Sequence, residues 1–265
     1  MPELKKRLLG TSRDQAPVRW VIQQTGSYLI GELFGGSYYR DCLKMAKAMA
    51  PQHRPALTAI HNARNSDDVN LERMVANLED ISRWAAEVES EDFHIVNSHA
   101  FITLWAAQEA GIENILAEII RTSDYAAQIS SGKFPVDRYP FSDWPWSESI
   151  CIEIAQKLDT KAKNATKDGG DDMAERIVTL FSWFDLDVKT DDSIANKYNE
   201  ASMVRNVILH RYGHLNSRNV EKFPELSQWI GEILPITTER LNSYYHAVTT
   251  THLAIAQAVW SSQYK

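Results

Sequence analysis

The chain has 265 residues, 44% apolar and 24% charged, which is enough to bury a substantial core and is the balance of a globular protein rather than a disordered one. Its formal net charge of −7 excludes an overall positive field, so any nucleic-acid contact must come from a local basic groove. Cys42 and Cys151 are too few for a disulfide framework and wrongly spaced for zinc.

No stretch approaches the roughly 18 apolar residues of a membrane span. The first ten residues lack the apolar core of a signal peptide, so the chain is expected to be soluble and cytoplasmic. Alternating Val/Ile/Thr runs bounded by Asn-Gly or Asp-Gly are missing, while helical periodicity runs throughout.

Residues 18 to 49 carry apolar side chains at helical spacing, and Gly35-Gly36 predicts a break into two helices. Pro51 and Pro55 predict a turn, with a helix from Leu57 to about Asn65. Asp67-Asp68 is the expected start of the next helix. Its apolar stripe is Leu71, Met74, Val75, Leu78, Ile81 and Ala85. The acidic stretch 87–92 is the expected boundary between an N-terminal helical extension, 1–90, and a helical domain, 91–265.

A long helix is predicted from about Asn97 to Tyr125, with Phe101, Leu104, Trp105, Gln108, Ile112, Ile115, Leu116 and Ile119 on its wide face. In the Pro-rich stretch 134–146, Phe141, Trp144 and Trp146 read as a hydrophobic plug, with base stacking as the alternative. A helix follows over 148–162. Asp171 or Asp172 is then placed to cap another that runs to Phe184. Residues 193–212 form a helix that Gly213 stops in the left-handed conformation. The last helix is expected from Pro224 to Trp260, bent at Pro235. The fold class is all-α, a helical bundle.

The helix ending at Gly213 carries the chemistry. Arg205, Asn206 and His210 lie along it, with Ala201, Val204, Val207 and Ile208 on a side that can be buried. A guanidinium holds phosphate in two-pronged fashion at any physiological pH, and an imidazole moves protons near neutrality. Two readings of these residues stand side by side. In one they form a phosphodiester-cleaving site; in the other Arg205 makes an ion pair and His210 is a polar residue near a helix end. Arg205 lies about 140° around the helix from His210, so one helix alone makes no compact site.

The pattern Arg205-Asn206-x-x-x-His210, closing a helix late in an all-helical domain, resembles the HEPN superfamily (higher eukaryotes and prokaryotes nucleotide-binding domain). His210-Arg-Tyr-Gly213 is similar to the exit from that family's motif helix. Residues 106–116, with Glu109 and Glu113, resemble its first long helix. The resemblance covers roughly residue 91 onwards. It implies a metal-independent endoribonuclease, a toxin or antiviral effector, working without cofactor as a homodimer with the site at the interface.

On that resemblance His210 is the general acid or base, Arg205 stabilises the transition-state phosphate, and Asn206 orients the phosphate or the imidazole. Glu109 or Glu113 supports them, and Arg211 and Arg218 contact the RNA backbone. RNA is the substrate because the nucleophile is the 2′-OH. An antitoxin or regulatory protein is an expected partner. Some family members are catalytically silent modules for dimerisation or partner and nucleotide binding, which is the alternative.

His210 and His214 form a His-x-x-x-His pair, but Gly213 breaks the helix between them, so no metal site is expected. Asp185, Asp187, Asp191 and Asp192 lack the glycine and glutamate of a calcium loop. Lys157, Lys161, Lys163 and Lys167 fit phosphate contacts and a solvated helix end equally well. The pairs Gly35-Gly36 and Gly169-Gly170 do not fit a nucleotide-binding loop.

Overall fold

A computed structural model describes residues 12–64, 69–135, 137–166 and 172–264. The expected helix start at Asp67-Asp68, the side chain of Leu71, Lys167, Gly169-Gly170 and Asp171 lie outside the described residues. The chain is all-α. Its helices are α1 (Pro17–Arg64), α2 (Val69–Ser90), α3 (His94–Thr122), α4 (Asp124–Gly132), α5 (Glu148–Ala165), α6 (Met173–Ser182), α7 (Asp192–Arg211), α8 (Ser217–Lys222) and α9 (Thr238–Trp260). Short 3-10 turns lie at Phe141–Asp143 and Pro224–Trp229. No strand occurs among the described residues, only isolated bridges pairing His214 with Ile233 and Leu215 with Ile230.

α3 is the central post. Its Phe101, Leu104, Trp105, Ile115, Leu116, Ile119 and Ile120 are buried, and α1, α5, α7 and α9 pack around it. Each such apolar side chain contributes roughly 1.5–3 kcal/mol by leaving water. Phe101 packs against Tyr244 of α9 with ring centres 4.9 Å apart, and Trp105 against Tyr198 of α7 at 5.0 Å, both pairs tilted. Val18, Val21, Ile22 and Leu29 of α1 belong to the same core, so the first half of α1 is built into the bundle. Its second half pairs with α2, where Lys47 bonds Glu89 at 2.6 Å and Arg54 meets Glu79 at 3.1 Å.

Several boundaries differ from the sequence expectation. α1 runs through Gly35-Gly36, because a Cβ at Gly36 would stand 3.1 Å from the Ala100 methyl group of α3. The glycine admits close packing there rather than a break. Pro51 and Pro55 lie inside α1 as well, with Pro51 on the side that faces Val75 and Leu78 of α2. The long third helix ends at Thr122, and Ser123 opens α4 as its N-cap.

The last helix starts at Thr238, not Pro224. Residues 224–237 form a 3-10 turn and a loop with Gly231 at φ 81°, and Thr237 caps α9 through the Arg240 N–H. At the end of α7, Tyr212 takes the left-handed conformation first, at φ 53°, and Gly213 follows at φ 88°. Their N–H groups both bond the Val207 carbonyl, satisfying an end the helix itself leaves open.

A buried polar knot fastens the bundle's top. Asn97 accepts from Arg40 at 2.9 Å and donates to the carbonyls of Asp92 and Ile236 at 2.8 and 2.9 Å. Asp92 accepts from the Thr238 N–H, and His94 Nδ1 accepts from the Ile236 N–H, each at 2.9 Å. Trp146 is buried, and Trp144 donates to the Ile120 carbonyl at 3.3 Å while stacking on Phe141. The Pro/Trp stretch therefore plugs the bundle.

Candidate active site

Asp191 opens α7 by accepting the Ile194 N–H at 2.9 Å, and Ile194, Tyr198, Ala201, Val204 and Val207 bury its inner side. That anchoring fixes where the other residues point. Arg205 is half-buried, while Asn206 and His210 are exposed. All three line one cleft of about 500 Å³ between α7, α8, α6, the middle of α3 and the end of α5.

Arg205 is clamped from three sides. Its Nη1 donates to Asn206 Oδ1 at 2.8 Å, its Nη2 forms an ion pair with Glu109 of α3, and its guanidinium carbon lies 5.8 Å from the Trp105 ring centre. Trp105 is buried, so this cation lies over the core itself. His210 sits one turn along from Asn206 and has no protein partner among the described residues.

Glu113 stands one turn beyond Glu109 but does not line the cleft. It accepts from Gln156 of α5 at 3.1 Å. Arg211 and Arg218 do line it. Lys163 is the member of the α5 lysine series that reaches the cleft, since Lys157 pairs with Glu153 and Lys161 lies over Phe134.

Sequence reasoning missed Arg176 and Lys222. Arg176, on α6, points into the cleft while its Nε and Nη2 are held by the Asp159 carboxylate. Burial, the nearby Arg205 charge adding to it, lowers the Arg176 pKa; Glu109 and Glu113 oppose the shift. A guanidinium remains charged under these conditions. Nothing near position 176 in the sequence signals this role, because its partners come from α3, α5 and α7. The cleft thus carries six cationic side chains, with Glu109 the only acidic one among the described lining residues. In a chain of net charge −7 this is a local concentration of positive charge.

Behind Arg205 lie buried polar groups without aligned partners: Trp105 Nε1, both ends of the Gln108 carboxamide and the Tyr198 hydroxyl. Gln108 and the Tyr198 hydroxyl are neighbours, but their geometry falls short of a hydrogen bond. Burial raises the Tyr198 pKa, keeping it neutral.

A second cavity, about 580 Å³, lies between α1, α3 and α5. It is the larger of the two, but its charges cancel: Arg13 meets Glu118 and Glu148 at 3.4 and 2.8 Å, and Arg121 meets Glu118 at 2.6 Å. The α7 cleft is the better match for a polyanion. His214 Nδ1 donates to the Gly231 carbonyl at 3.3 Å rather than meeting His210. Among the described residues no group of three or more His, Cys, Asp and Glu is placed to hold a metal ion. No described helix is long and apolar enough to cross a membrane. No family model, curated protein or solved structure matches the chain.

Proposed function

We propose that the protein is a metal-independent endoribonuclease of the HEPN type, acting as a toxin or antiviral effector under control of an antitoxin or regulatory protein. The observation that carries this reading is the cleft itself: it gathers Arg205, Asn206 and His210 with an excess of cationic side chains. His210 takes the proton from a ribose 2′-OH, whose oxygen attacks the adjacent phosphorus. The P–O5′ bond breaks, leaving a 2′,3′-cyclic phosphate and a 5′-OH. The leaving oxygen takes its proton from a second imidazole, that of another copy, when two clefts face each other. Arg205 stabilises the charge gathering on the phosphate oxygens, and Glu109 with Asn206 holds its guanidinium in place.

One observation favours a second reading. The Arg205 guanidinium is already satisfied by Glu109 and Asn206, the arrangement expected of a catalytically silent helical module. The discriminating experiment is cleavage of mixed RNA by purified protein in excess EDTA, beside His210→Ala and Arg205→Ala. The ribonuclease reading requires cleavage that survives EDTA, fails in both variants and leaves cyclic-phosphate ends. RNA left intact by the folded protein, with and without cell extract as a source of activator, favours the silent module.

A further inference from the structure

Exposed large apolar side chains concentrate on one helix. On α1, Phe34, Tyr38 and Tyr39 keep 68%, 69% and 65% of their surface in solvent, and Met45 keeps 60%. At about 100° per residue, Gly31, Phe34, Tyr38, Cys42, Met45 and Met49 form one stripe. The buried residues Val18, Ile22, Leu29 and Arg40 lie on the opposite side of the helix, against the bundle. Lys47 and Arg54 turn towards α2. Neither the bundle nor α2 covers the stripe, and a contiguous apolar surface of this kind marks an interaction site.

We infer that the stripe is a self-association surface on which α1 of a second copy packs antiparallel. Size is the first argument. With large side chains near 200 Å², Phe34, Tyr38, Met45 and Met49 of the stripe expose on the order of 500 Å², so a pair covers roughly 1,000 Å² in total, the lower bound for a specific interface.

Shape is the second argument. A Cβ at Gly31 or Gly35 would meet nothing within 4 Å, so two hollows lie open on this face. In an antiparallel pair centred on residue 40, Gly31 stands opposite Met49, Gly35 opposite Met45, and Tyr38 opposite Cys42. Each large side chain meets a small one. A parallel pair would set Phe34 on Phe34 and leave the hollows facing each other. Charge does not oppose the contact, since Asp41 and Lys44 at the edge already face each other at 4.0 Å.

α3 separates this stripe from the cleft. Thr25 and Glu32 of α1 meet Gly111 and Thr103 on one side of α3, while Glu109 reaches Arg205 on the other. The pairing therefore turns both clefts outward and does not rest on the ribonuclease reading. A cleft-to-cleft contact would be a separate two-fold surface, and a chain using both builds a larger assembly.

Sedimentation equilibrium of the full chain tests the inference. The mass should equal two or more copies and be halved by Phe34→Glu combined with Tyr38→Glu, with helical content retained because both positions are exposed. A short bismaleimide should also join two Cys42 thiols. In this register they are offset by about 6 Å along axes roughly 8–10 Å apart. Cys151 is buried, and Cys42→Ser should abolish the link. A monomeric wild type, a mass untouched by the double substitution, or failure to cross-link through Cys42 overturns the pairing. Neither measurement uses RNA, so its failure is distinct from failure of the proposed activity.

Discussion

The two sides of α3 present opposite surfaces. On one, α1 turns outward a stripe of glycine, aromatic and methionine residues almost without charge; on the other, five further cationic side chains share the cleft with Arg205 and His210. An apolar stripe gains free energy only by meeting another surface, whereas a basic cleft gains by meeting phosphate and keeps its solvent when empty. The contrast teaches that the apolar stripe and the cationic cleft are built on different sides of α3, so pairing through α1 and polyanion binding by the cleft should be separable by mutation.

The largest expected effect is at His210. His210→Ala should lower RNA cleavage by about 10²–10⁴-fold, the usual contribution of a positioned acid or base, with the thermal midpoint unchanged because the side chain is exposed. A midpoint shift as large as that of a core substitution would place His210 in the structure rather than in the chemistry. Next, the Phe34→Glu, Tyr38→Glu double variant should alter assembly mass while leaving RNA binding by each cleft intact. An equal loss of both would break the division between the faces.

Smaller and graded effects should come from the cleft's cations. Lys163→Ala, Arg211→Ala and Arg218→Ala should each weaken RNA binding and reduce the slope of log affinity against log salt by roughly 0.7–1. A slope that does not change in any of the three would move the polyanion elsewhere.

The smallest effect is pH-dependent. Burial holds His94 and His252 below the ordinary imidazole value, Glu91 opposing the shift at His94 and the Ile22 carbonyl opposing it at His252. The folded state therefore favours both neutral. Their contribution is complete above about pH 6.5 and is lost as pH falls towards their folded values. The thermal midpoint should fall over that window, and less steeply in His252→Asn.

Much of the fold is legible because helical periodicity and caps are local. The apolar face of α3 can be counted from Phe101 to Ile119, and Asp172 is placed to cap α6, where it accepts the Glu175 N–H at 2.7 Å. Misreadings fall where a residue's preference is overridden at a distance. Gly36 reads as a breaker but is the contact point for Ala100, and Pro224 reads as a helix start but opens a 3-10 turn. Arg205, Asn206 and His210 are readable as a group because they share one helix. Arg176 is not, because it is brought in from α6 and oriented by Asp159 of α5.

The sequence by itself determined that the chain is helical, and that Arg205, Asn206 and His210 run in order along a helix that closes before Gly213. These are relations between residues a turn or two apart, and backbone geometry enforces them wherever the helix lies. Only the tertiary structure decided that Glu109 grips Arg205, that cations from four helices share one cleft, and that the aromatic side of α1 is left uncovered. Those outcomes depend on which helices meet and at what rotation. That is set by the packing of whole faces around α3, not by any short stretch of chain.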